Sequence, residues 1–191
     1  MSITRAKTSS IAQGPSTNRN ILAGNPVILP GSYESIATFT VGAGGQANIT
    51  FSSIPSTYKH LQVRCFIFGS GLQYNITLNG DTGNNYSMHN LTGDGSSASA
   101  GNSINTNKIL QNFLTPTSTT NPSPNITNIL DYADTNKYKT VRTLNGTDSN
   151  GSGQITLVSG GYRSTSAITT VAINSGGTFT QYSSFALYGI K

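Results

Sequence analysis

The stretch Tyr58-Lys59-His60-Leu61-Gln62-Val63-Arg64-Cys65-Phe66-Ile67-Phe68-Gly69-Ser70 decides the fold. Its large residues fall at a period of two, with Leu61, Val63, Cys65 and Ile67 on one side and Gln62, Arg64, Phe66 and Phe68 on the other. A strand that is apolar along one whole face, and on the second face only near its end, belongs inside a sheet covered on one side and partly on the other. The rest of the chain is expected to pack on or beside it.

Composition points the same way. Of 191 residues only 9% are charged, against about a quarter in an ordinary domain, and Ser, Thr, Asn and Gly make up nearly half the chain. Ser, Thr and Asn compete with the helix backbone for hydrogen bonds, and Gly costs about 1 kcal/mol per helical position. With 21 Gly and repeated Asn-Gly and Gly-Gly pairs, the chain reads as short strands joined by tight turns.

The net charge of +5 arises from only six acids, and the eleven Lys and Arg are scattered singly from Arg5 to Lys191. Such dispersion describes a solvated surface and predicts no nucleic-acid partner. The single cysteine, Cys65, faces the expected core and excludes an internal disulfide. No apolar run approaches the ~20 residues of a membrane helix, and the first residues lack the apolar run of a signal peptide, so no membrane partner is expected.

Residues 1–31 differ from the rest of the chain. They hold Arg5, Lys7 and Arg19, no acid, no aromatic residue, and widely spaced aliphatic residues interrupted by Pro15, Pro26 and Pro30. A segment so poor in apolar surface cannot offset its own ordering entropy. It is expected to be an extended arm that gains order by lying along another subunit, with Ile3, Arg5, Lys7, Ile11, Arg19, Ile21 and Leu22 as the contact residues.

From Tyr33 the strand signals recur to the end. Residues 33–41 alternate, Gly42-Ala43-Gly44-Gly45 turns the chain, and Ala47, Ile49 and Phe51 continue beyond it, which predicts a hairpin. Further strands are expected at 74–78, 86–91, 126–133, 138–144, 154–159, 167–173 and 182–190. Residues 92–107, nearly devoid of large apolar side chains, and residues 115–124 read as surface loops; 109–114 fits a short strand or a helical turn equally well. Turns are expected at Asp134-Thr135-Asn136-Lys137, at 145–153, at Gly160-Gly161 and at Ser175-Gly176-Gly177. The sum is about ten strands and no convincing helix. It predicts an all-β antiparallel two-sheet sandwich over residues 32–191, jelly-roll-like, preceded by the arm.

Candidate chemistry is sparse. His60 and His89 stand outside any glycine elbow, Asp131 and Asp134 fit a turn better than a pair of catalytic acids, and no His/Cys cluster has metal-ligand spacing. Asn79-Gly80-Asp81-Thr82-Gly83-Asn84 is oxygen-rich but lacks the spacing of a Ca²⁺ loop and reads as a turn. The expectation is a protein without catalysis, cofactor or metal.

Several stretches resemble small β-rich virion proteins of tailed bacteriophages of aquatic bacteria, cyanophages among them. They are Tyr33-Glu34-Ser35-Ile36-Ala37-Thr38 with the Gly42–Gly45 turn, the run from Phe51 to Arg64, Ile129-Leu130-Asp131-Tyr132, Asn136 to Arg142, Asn150-Gly151-Ser152-Gly153, and the run from Tyr182 to Lys191. The resemblance spans about residues 33–191. It implies a structural part of a phage particle, made in the bacterial cytoplasm and displayed on the virion surface. Its partners would be the major capsid protein or tail proteins, in a homo-oligomer. The alternative is a receptor-binding module holding host surface polysaccharide in the sandwich loops, with Tyr74, Tyr86 and Tyr162 as stacking residues and Asn84, Asn85, Asp94 and Asn102 as hydrogen-bonding groups.

Overall fold

The computed structural model describes residues 32–69, 73–111 and 120–191; the expected arm, including all seven of its contact residues, lies outside the described residues. Twelve strands occur: β1 (Tyr33–Thr40), β2 (Gln46–Phe51), β3 (His60–Ile67), β4 (Tyr74–Leu78), β5 (Tyr86–Gly93), β6 (Ala98–Thr106), β7 (Ile109–Leu110), β8 (Ser123–Leu130), β9 (Lys139–Asp148), β10 (Gly153–Tyr162), β11 (Val171–Phe179) and β12 (Ser184–Ile190). Among the described residues there is no helix.

The strands form an eight-stranded sheet in the order β1-β12-β3-β8-β9-β10-β5-β6 and a four-stranded sheet in the order β2-β11-β4-β7, with every pairing antiparallel. Setting aside the hairpins β5–β6 and β9–β10, the eight remaining strands pair outermost with outermost: β1 with β12, β2 with β11, β3 with β8, β4 with β7. One long antiparallel hairpin rolled so that alternate pairs fall in opposite sheets is the jelly roll. The two inserted hairpins add four strands to one side of the larger sheet.

The decisive stretch behaves as its alternation predicts. β3 lies between β12 and β8, with Leu61, Val63, Cys65 and Ile67 at most 3% exposed, while Arg64 and Phe66 face solvent. Those four side chains join Ile49, Ile76, Val171, Ile173 and Phe179 of the smaller sheet in one core. Burial pushes the Cys65 thiol pKa up, leaving it an inert part of that core. Gln62 points outward as expected but is 7% exposed; its amide donates to Asn128 Oδ1 (2.8 Å) and its Oε1 accepts from Arg64 Nε (2.6 Å). The Arg64 guanidinium in turn sits over the rings of Tyr33 and Tyr188.

Five local expectations are corrected. Gly160-Gly161 is not a turn but runs through β10, paired with Met88 and Ser87 on one side and with Val141 and Thr140 on the other. The Gly42–Gly45 turn does not close a hairpin: Gly45 N–H donates to the Gly42 carbonyl, but the turn carries the chain from an edge of one sheet to an edge of the other. Residues 92–107 are not a loop; β5 runs to Gly93 and β6 covers 98–106, held by backbone pairing although no β6 side chain is buried. The predicted turn at 145–153 shrinks to residues 149–152, because β9 and β10 stay paired out to Asp148 and Gly153, with Asn150 and Gly151 supplying the left-handed backbone of the tip. Ser175-Gly176-Gly177 lies inside the bounds of β11, at a break in register between Asn174 and Phe179. Of residues 109–114, Ile109 and Leu110 form β7; residues 112–119 lie outside the described residues.

Candidate interaction surface

In an antiparallel sheet, side chains of directly paired residues share a face, so the register of the larger sheet assigns every side chain to the inside or the outside. On β3 the assignment is apolar in. On β8, β9 and β10 it inverts over part of each strand, although Ile129, Val141 and Val158 still point into the core. Asn125 and Thr127 of β8, Thr143 and Asn145 of β9 and Thr156 of β10 point inward and are at most 3% exposed, while Ile126, Leu144, Ile155 and Leu157 of the same strands point outward and are 42–58% exposed.

Apart from Thr156, whose hydroxyl lies 3.0 Å from Thr92 Oγ1, the inward polar groups are held by a network centred on Gln111, just beyond β7. Gln111 Oε1 accepts from Thr127 Oγ1 (2.7 Å) and from Thr143 Oγ1, the two hydroxyls lie 2.9 Å apart, and Asn145 Nδ2 donates to the Gln111 carbonyl. Asn125 Nδ2 donates to the Tyr74 hydroxyl (2.9 Å). This bonding offsets part of the desolvation of the buried polar side chains, with Gln111 Nε2 and Asn145 Oδ1 buried and unpaired among the described residues, and it pins the register, since a slip of one residue would exchange the polar and aliphatic sets.

The outward aliphatic groups line up because their residues are cross-strand partners. Arg64 pairs with Ile126, Ile126 with Leu144, Leu144 with Leu157, and Leu157 with Leu91, so one row of four large aliphatic residues crosses four adjacent strands. A second row, one step nearer the strand ends, brings Phe66 beside Pro124 and Ile155 beside Gly146. Lacking a side chain, Gly146 leaves a notch between Pro124 and Ile155, and this part of the face is an apolar depression lined by Phe66, Pro124, Ile126, Leu144, Gly146 and Ile155. The row on the other side is polar: Gln62, Asn128, Arg142, Ser159, His89 and Asn102, with Arg142 donating to Ser159 Oγ (2.6 Å).

The residues expected to contact a glycan do not converge. Tyr74, Tyr86 and Tyr162, at most 3% exposed, are core residues whose rings no sugar reaches, which corrects their expected stacking role. Tyr74 packs edge-on against Phe179. Tyr86 stacks on Tyr162 with centroids 4.7 Å apart, and its hydroxyl, whose pKa burial pushes up to about 12, bonds the backbone of Leu78. Asn84 and Asn85 belong to the turn after β4, where Asp81 accepts from Gly83 N–H, Asn85 Nδ2 and the Tyr162 hydroxyl; this is the expected structural turn. Asp94 caps the β5–β6 tip, its carboxylate held well below its ordinary pKa by the N–H and hydroxyl groups of Ser96 and Ser97. Asn85 and Asp94 flank the eight-residue β5, roughly 27 Å of strand. Asn102 is exposed on β6 opposite His89.

Nor do the titratable groups among the described residues form a reactive constellation. His60 Nδ1 accepts from Asp131 N–H (2.9 Å), and Asp131 is paired with Lys137 and Lys59, which hold its carboxyl pKa down at about 2. Lys139, 1% exposed, donates to the carbonyls of Asp134, Lys137 and Thr165, and burial lowers its pKa. These contacts tie together the turn between β8 and β9. Among the described residues no group of three metal-ligating side chains occurs, and no helix is long and apolar enough to cross a membrane.

The chain matches no protein-family model, no curated protein and no solved structure. The inverted face had no signature in the sequence: Asn125-Ile126-Thr127 and Thr143-Leu144-Asn145 alternate cleanly, but alternation names two faces without saying which one is covered.

Proposed function

We propose that this protein is an accessory structural subunit of a tailed-phage virion, a capsid decoration (cement) protein or a tail fibre or adaptor-attached protein. It is held to the particle through residues 1–31 and displays the jelly roll at the surface. The observation that carries the reading is the partial inversion across β8, β9 and β10: a stretch of sheet that buries Asn125, Thr127, Thr143, Asn145 and Thr156 while presenting Ile126, Leu144, Ile155 and Leu157 outward is built for contact with protein rather than with water. The likeness of residues 33–191 to virion proteins of phages of aquatic bacteria supplies the kind of assembly. The glycan-binding alternative loses support with its three tyrosines in the core.

The test is quantitative mass spectrometry of purified particles. On the order of hundreds of copies per virion identifies capsid decoration, and about a dozen a tail position, following the symmetry of each site. Deleting residues 1–31 is expected to leave the sandwich folded and abolish incorporation. Absence of the protein from particles, or full occupancy by the deleted form, overturns the proposal.

A further inference from the structure

We infer that the outer face of the eight-stranded sheet is the interface of a two-fold homodimer, two copies stacking face to face with their strands antiparallel. This inference starts from the same outward apolar face as the virion reading but does not require that reading to hold. Three observations carry it.

The first is the size and anatomy of the face. Phe66, Leu91, Ile126, Leu144, Ile155 and Leu157 are 42–58% exposed and together present on the order of 500 Å² of apolar surface, the upper end of what a monomer shows to water. With the polar row of Gln62, Asn128, Arg142 and Ser159 beside it, the face has the apolar centre and polar rim of a standard interface, which takes about 800 Å² from each partner.

The second is charge. Outward positions along β9 read Arg142, Leu144, Gly146, Asp148: a cation, an apolar bump, a notch, an anion. Neither Arg142 nor Asp148 has an ion-pair partner among the described residues. Asp94, at the neighbouring β5–β6 tip, adds a second acid at the Asp148 end of the sheet. Stacking with strands parallel would set acid on acid and Arg on Arg. Stacking with strands antiparallel, about an axis crossing β9 at Asn145, sets Arg142 of each copy opposite Asp148 of the other.

The third is shape. The same axis sets Leu144 of each copy opposite Gly146 of the other, so the bump enters the notch between Pro124 and Ile155. Sheets stacked this way lie about 10 Å apart and about 30° from strict alignment.

The full-length chain at ~100 μM is expected to sediment as a dimer. Leu144 is 48% exposed, so Leu144→Glu leaves the monomer fold intact, read by an unchanged circular-dichroism spectrum, and weakens dimerisation at least about tenfold. Arg142→Asp and Asp148→Arg each create two like-charge oppositions and weaken it comparably, while the double variant Arg142→Asp/Asp148→Arg restores it to within a few-fold of the native chain. Restoration by the double swap is the signature of antiparallel stacking, because no single surface of one copy produces it. A chain that sediments as a monomer, or a dimer indifferent to Leu144→Glu, overturns the inference. A monomer whose Leu144→Glu variant fails to join particles assigns the face to another protein and overturns it equally. An absence from particles with an intact dimer overturns only the virion proposal.

Discussion

β3 and β9 lie two places apart in the same sheet and alternate equally well, yet the inner face of β3 is apolar throughout and that of β9 is largely polar. β3 turns Leu61, Val63, Cys65 and Ile67 toward the smaller sheet; β9 turns Thr143 and Asn145 inward, with Val141, and leaves Leu144 outside. The difference arises from what each strand faces. The whole inner face of β3 joins the aliphatic and aromatic side chains of β2, β11 and β4 in one core, which β9 enters only through Val141. β9 belongs to an inserted hairpin on the flank of the jelly roll, where Gln111 brings its own polar groups to the inner face. Beyond it burial fades: β5 buries only Tyr86 and Met88, and β6 buries nothing. The hydrophobic core runs under both halves of the larger sheet, through Val141, Val158 and Tyr162 on the added strands, but on β8 and β9 a hydrogen-bond network replaces it over the stretch from Asn125 to Thr127 and from Thr143 to Asn145.

The sharpest way to break this comparison is to truncate a side chain on each strand. Ile67→Ala, at a site with no exposure, is expected to cost about 2–4 kcal/mol by denaturant melts, through the cavity left in the core. Leu144→Ala should cost less than about 0.5 kcal/mol in the monomer. Equal costs would mean that the two strands do not differ as described.

A smaller effect is expected where β7 meets the added strands. A Cβ on Gly160 would lie 2.7 Å from Ile109 Cδ1, whereas one on Gly161 meets only Ser87 Oγ at 3.4 Å. Gly160→Ala should therefore cost about 1–3 kcal/mol and Gly161→Ala almost nothing. If both are silent, β7 is not packed on β10.

Thr143→Val tests the network itself. In an apolar interior this nearly isosteric change would stabilise; here it removes a donor to Gln111 and a partner of Thr127, and a loss of about 1–2 kcal/mol is expected. A rise in melting temperature would refute the claim that hydrogen bonding sets the register of β9.

Last is a pH dependence at the opposite end of the sheet. Lys137 and Lys59 hold the Asp131 pKa at about 2, against an ordinary 3.8, so its contribution to stability is full above about pH 4 and is lost as pH falls through 2. Asp131→Asn should melt below the native chain at neutral pH, and the gap should close between about pH 5 and pH 2. A gap of constant size over that range would show that the pairing adds nothing to stability.

The sequence is most legible where side chains alone carry the signal. β3 could be placed inside a sheet because its second face also turns apolar at Phe66 and Phe68, and the jelly-roll class came from strand count and turn spacing. β6 was hidden because its Ala, Ser, Gly and Asn side chains carry no pattern; its order comes from backbone bonds to β5. The glycan candidates failed for the complementary reason. A tyrosine beside a turn reads the same whether its ring is out or in, and Tyr86 and Tyr162 are in because Leu78 and Asp81 receive their hydroxyls. The outward aliphatic face needs the register of five strands at once.

The place of β12 between β1 and β3 sets the order of events in folding. The two strands it joins are formed from residues 33–40 and 60–67, but neither completes its ladder until residues 184–190 exist. On the ribosome, β1 and one side of β3 wait with open backbone groups while more than a hundred residues are added. Such distant pairing makes the search slow and leaves Phe66 beside an unpaired edge, a state prone to stick to other nascent chains. The Ser, Thr, Asn and Gly between the strands keep the apolar content low in the segments exposed during that interval.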